Sequence, residues 1–101
     1  MQIEVNIYTV STVNNAPIET LLQGEVTGYM ERIVQQRSTN IENKERSVNS
    51  VEYLFIPDIS VLSIAIGQIM RNTTTNTEAY LIVDFENFED HNEIYCRPVV
   101  V

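Results

Sequence analysis

Tryptophan is absent from this 101-residue chain, cysteine and lysine occur once each, and glycine and proline three times each. A lone Cys96 cannot close an intramolecular disulfide, so a secreted disulfide scaffold is excluded and a reducing compartment is expected. No apolar run reaches the ~18 residues of a membrane-spanning helix. Segment 1–8 has no basic stretch ahead of an apolar core, so no signal peptide is expected and the chain should stay in the cytoplasm. The sequence also lacks a P-loop, a G-x-G-x-x-G turn and any paired metal-ligand spacing. No cofactor is therefore expected.

Positive charge is equally scarce. Six basic residues face fourteen acidic ones, for a net charge of -8 and a pI near 4.4. Non-specific nucleic-acid binding draws its free energy from Lys and Arg neutralising phosphates, which Lys44 and five arginines cannot supply. The same shortage argues against an anionic membrane surface. An acidic surface suits a basic protein partner instead, because opposite potentials steer encounter.

What is present is β-prone sequence with two stretches of helical spacing. Residues 2–13 alternate, with Ile3, Val5, Ile7 and Thr9 on one side, and predict a strand. The run Asn14, Asn15, Ala16, Pro17 breaks it, and Pro17 suits the first position of a helix, where its missing N–H has no partner to lose. Two readings then stand for 18–37. Apolar residues from Ile18 to Val34 fall at helical spacing for one long helix, but Gly24 and Gly28 would each cost it about 1 kcal/mol. The favoured alternative ends a short helix near Gln23, caps it with Gly24 and runs a strand over 25–36. Segment 38–49 is polar and reads as an exposed loop, with Thr39, Asn40, Glu42, Lys44 and Arg46 as candidate partner-contact residues.

Residues 51–56 predict an apolar strand that Pro57 stops. Asp58 then offers an N-cap to an apolar helix over 58–71, with Ile59, Leu62, Ile66, Ile69 and Met70 on one stripe. Two more strands are expected at 79–85 and 93–101, joined by an acidic connection. The expected class is α+β: one domain with about five largely antiparallel strands, a core helix at 58–71 and a shorter N-terminal helix. Short connections should pair the second strand with the third and the fourth with the fifth.

Candidate chemistry is thin. Along an extended segment, five residues hold His91 and Cys96 about 16 Å apart on opposite faces. Cys96 reads as a small buried hydrophobe and His91 as a solvated loop histidine. Asp84, Glu86, Glu89, Asp90 and Glu93 form the densest group of oxygen ligands, but lack the glycine and spacing of a calcium loop. They read as a solvated hairpin, and no enzyme is expected. Val99, Val100 and Val101 end an apolar strand with no polar stop. Such an edge needs pairing within its own sheet or with a neighbouring subunit.

Four pieces carry a family resemblance: the run 17–22, Thr27-Gly28-Tyr29, Arg37 to Asn40 with Glu42 and Glu45 following, and an apolar strand closing on Ile56-Pro57-Asp58. Together, over less than half the chain, they resemble the small neck and tail-completion proteins of tailed bacteriophages. This chain departs from them in having a strand before the first helix. The resemblance implies a ring-forming virion component at the head–tail joint, located in the virion or host cytoplasm, with no active-site residues. Two expectations follow. One is a homo-oligomeric assembly protein that pairs through Val99, Val100 and Val101 and meets other proteins through 39–46. The alternative is a small acidic inhibitor of the counter-defence type, placing Glu86, Glu89, Asp90 and Glu93 in a basic groove of a host protein.

Overall fold

A computed structural model describes residues 1–40, 46–61, 63–75 and 78–99. Six strands occupy most of them: β1 (Gln2–Val13), β2 (Ala16–Asn40), β3 (Arg46–Pro57), β4 (Ile69–Asn72), β5 (Ala79–Asn87) and β6 (Asn92–Val99). Every neighbour is antiparallel, and the order β1-β2-β3-β6-β5-β4 returns to β1 as a closed barrel. The two expected pairings, β2 with β3 and β5 with β6, are present. The α+β class is overturned: the described residues contain no helix, and the fold is all-β.

The short N-terminal helix is replaced by the first half of β2. Asn14 and Asn15 take φ of 52° and 64°, the left-handed pair that a two-residue hairpin turn needs and that Asn tolerates well. That turn sends the chain straight back along β1, with Val13 opposite Ala16 and Thr12 opposite Pro17. Pro17 is tolerated because this stretch of β2 has no strand on its other side among the described residues, so no ladder bond needs its N–H. Gly24 does not cap a helix either. It lies in a bulge with Glu25, whose φ is 55° and whose N–H donates to Asn6 Oδ1 at 2.9 Å. The irregularity lets a 25-residue strand bend around the barrel.

The core helix expected at 58–71 is also absent. The described residues of 58–68 form an irregular connection, Leu62 of the expected stripe lies outside them, and Ile69–Asn72 is a strand. Ser63 at φ 65° and Gly67 at φ 96° interrupt any helical run. The apolar residues do not line one buried stripe. Val61 and Ile64 fill the barrel core while Ile59 and Ile66 stay exposed. Asp58 caps nothing helical, because its carboxylate accepts hydrogen bonds from Thr27 Oγ1 and Gln2 Nε2. Gln68 closes the segment on itself, accepting from Ala65 N and donating to the Ser63 carbonyl.

Inward residues of all six strands form the core: Val5, Ile7, Val26, Met30, Phe55, Met70, Tyr80, Ile82, Ile94 and Cys96. Burial of each large side chain contributes about 1.5–3 kcal/mol. A smaller cluster of Val51, Val83 and Tyr95 packs with Ile33, Leu54 and Leu81. At Gly28, β2 and β3 approach closely: a Cβ there would lie 2.5 Å from the Ile56 carbonyl oxygen and 2.7 Å from Phe55 Cζ and Pro57 Cα. Two of those atoms are backbone and cannot move aside. Gly28→Ala should therefore lower unfolding free energy in urea titrations by about 2–3 kcal/mol. Gly24→Ala, whose new methyl meets only Asn6 Oδ1 at 3.3 Å and Leu21 at 3.8 Å, should cost less than about 1 kcal/mol.

Candidate functional site

The β5–β6 hairpin gathers the acidic residues singled out in the sequence. Glu86 stands opposite Glu93 and Asn87 opposite Asn92. The tip between them, 88–91, is closed by the Phe88 N–H donating to the His91 carbonyl at 2.8 Å. Glu89 and Asp90 occupy the exposed turn itself. Thus Glu86, Glu89, Asp90 and Glu93 surround one tight turn, as contiguous sequence in a hairpin requires.

His91 is not simply solvated. Its Nδ1 lies 2.7 Å from Asp90 Oδ1 and its Nε2 lies 3.2 Å from Glu93 Oε2. The Tyr95 hydroxyl donates to the other oxygen of Glu93 at 3.1 Å. Residues 91, 93 and 95 share one face because side chains alternate along a strand. The Phe88 ring stacks on the imidazole with centroids 4.7 Å apart and planes 11° from parallel. The hydrogen bond to Asp90, followed by that to Glu93, raises the His91 pKa above its ordinary value, and the same bond to His91 lowers that of Asp90. A histidine held between two carboxylates stays protonated more readily, so it offsets part of the negative charge at the tip.

The tip is anchored from behind. The buried Asn92 accepts from Val61 N at 2.7 Å and donates to Asn87 Oδ1 at 2.6 Å, tying the hairpin to segment 58–68. Cys96 is remote from this chemistry. It is fully buried, its Sγ contacts the Tyr53 carbonyl oxygen at 3.6 Å, and burial pushes its pKa up to about 12. Such a thiol is inert. Among the described residues, no three His, Cys, Asp or Glu side chains are arranged to hold a metal ion.

The second group of candidate residues lies on a ladder rather than a loop. β2 and β3 stay paired well past the barrel, with Gln35 opposite Val51, Thr39 opposite Ser47 and Asn40 opposite Arg46. Thr39 and Asn40 thus end β2 and Arg46 begins β3, while Glu42 and Lys44 lie outside the described residues. Val99 sits opposite Ala79 in the barrel wall, and Val100 and Val101 lie outside the described residues.

One surface escaped the sequence reading. The β1–β2 hairpin continues beyond the barrel as a two-stranded ribbon, and Val10, Val13, Ile18 and Leu21 on it are 42–55% exposed. Its root is fastened by a two-point ion pair from Arg71 on β4 to Glu19. Beside that root is an open groove of about 450 Å³ lined by Glu4, Asn6, Leu21, Gly24, Glu25 and Thr73. The sequence signal for the ribbon was the alternation running unbroken to Val13 and then into Asn14-Asn15. No protein family, curated protein or solved structure matches this chain.

The raised His91 pKa sets a pH dependence. Its stabilising share is fully present below the unfolded value near 6.5 and is lost as pH rises through the higher folded value. NMR titration of His91 should give a midpoint above 6.5, and Asp90→Asn should bring it down. Urea titrations should show stability falling across that window, with the slope missing from His91→Asn.

Proposed function

We propose that this chain is a non-enzymatic assembly protein that works as a homo-oligomer, of the kind found at the head–tail joint of tailed bacteriophages. The reading rests on one observation: two β-ribbons leave a small closed barrel with their outer backbone edges unoccupied by any described strand. Thr73 N donates to the Glu4 carbonyl, so even-numbered residues of β1 direct their backbone groups toward β4. β4 reaches only as far as Ile69, opposite Tyr8. Val10 and Thr12 therefore direct N–H and C=O past the end of β4.

The same edge carries none of the usual protection. Edges are normally blunted by lysine, proline or a cover. From Asn6 to Ile18 this ribbon has no charged residue, and its Pro17 is on the other strand. A two-stranded ribbon alone is marginal in water, and apolar side chains on it gain by burial against another chain. Such a protein acts in the virion or, before assembly, in the host cytoplasm.

A second reading has its own support. The acidic hairpin, tipped by the half-exposed Phe88, suits a counter-defence inhibitor entering a basic groove of a host protein. Native mass spectrometry of the full chain over a protein and salt series separates the two. An assembly protein should give a species larger than a dimer, and Val10→Lys should reduce its order while leaving the monomer's melting temperature within about 3 °C. A wild-type chain that stays monomeric throughout would overturn the assembly reading in favour of the inhibitor.

A further inference from the structure

The mouth of the barrel where β5 begins and β6 ends holds a cavity of about 250 Å³, lined by Tyr53, Glu78, Ala79, Tyr80, Pro98 and Val99. Register puts three of these on the inner face. Tyr80 stands opposite both Met70 and Pro98, and Tyr53 stands opposite Cys96, two residues before Pro98. Met70, Tyr80 and Cys96 are core residues, so Tyr53 and Pro98 face inward with them. The Tyr53 and Tyr80 rings, with centroids 5.5 Å apart and planes at 74°, form a corner of two aromatic walls.

Two polar groups at this corner are left over. Tyr80 is only 7% exposed, yet its hydroxyl has no hydrogen-bond partner among the described residues. No described polar side-chain atom that lacks a partner is sealed from solvent. The hydroxyl therefore meets open space, and the cavity that Tyr80 lines supplies it. At the rim, the Glu78 carboxylate accepts one long bond, 3.4 Å from Asn72 Nδ2, and pairs with no cation among the described residues. Arg71 opposite Ala79 and Arg97 opposite Leu81 alternate with the core residues Met70 and Cys96, so both face outward, and Arg71 is held by Glu19. Burial, and after it the Glu78 charge, push the Tyr80 pKa up to about 12. The phenol thus stays neutral, and the carboxylate acts on it through space.

We propose that this mouth binds a primary ammonium carried on a short apolar chain. The proposal goes beyond the assembly reading and does not depend on it. The ammonium N–H groups donate to the Glu78 carboxylate and to the Tyr80 hydroxyl oxygen, whose lone pairs are free. A ring face within about 6 Å attracts the charge, and the chain rests on Pro98 and Val99. A net charge of -8 raises the local concentration of cations, whereas an anion would meet no basic lining residue. A free alkylamine and the lysine side chain of a partner protein offer the same chemistry.

Two-dimensional NMR of the full chain at neutral pH tests this with n-butylammonium as the probe. The amide resonances of Ala79, Tyr80 and Val99 should move with a Kd of about 1 mM. Glu78→Gln should weaken binding about tenfold and Tyr80→Phe about threefold. Butanol, a neutral analogue, should bind at least about tenfold more weakly than the ammonium. Nα-acetyl-lysine N-methylamide separates the two sources: tighter binding than butylammonium assigns a protein side chain, and weaker binding a free amine. No shift up to about 20 mM, shifts that map to the groove at Glu4 and Glu25, or an affinity that either substitution leaves unchanged would overturn the proposal.

Discussion

Closure of the barrel depends on four residues. Among the described residues, Ile69–Asn72 is the only strand that joins β1 to β5, bonding to Val5–Tyr8 on one side and Ala79–Leu81 on the other. Without it the sheet would be open, with two long free edges and an uncovered apolar face. The requirement reaches back along the chain. Segment 58–68 must cross from the end of β3 to the start of β4 while dropping Val61 and Ile64 into the core. Ser63 and Gly67 supply the left-handed turns on this irregular path.

The same constraint divides what could be read from the sequence from what could not. Strict alternation exposed β1, and β-branched or aromatic runs bounded by Pro57 and by the acidic stretch exposed β3, β5 and β6. The apolar spacing at 58–71 matched a helix because a core plug followed by a four-residue strand also scatters apolar residues at intervals of three and four. Length and flanking signals could not separate the two, since what decides is the missing sixth strand of the barrel. At 18–23 the helical reading failed for a different reason. Pro17 suits a helix start, whereas the decisive signal is the Asn14-Asn15 pair before it.

The candidate surfaces divide in a similar way. The acidic hairpin was legible because its carboxylates are neighbours in sequence and any turn there gathers them. His91 as the centre of that cluster was not legible, since bonding to Asp90 and Glu93 together depends on how the turn closes. Free strand edges are a tertiary property: Val10 and Thr12 look like any other alternating residues until the end of β4 is known.

The strand order also governs how the barrel can be made. β3 pairs with β6 rather than with β4 or β5, so Tyr53–Phe55 has no neighbour on that side until Asn92–Val99 has left the ribosome. Because synthesis adds only about 5–20 residues per second, the nascent chain spends seconds with an apolar strand edge uncovered. Pairings so distant in sequence also form slowly once the chain is complete. The last strand is thus a keystone, and the interval before it locks is when a chaperone, or a second nascent copy, has access to β3.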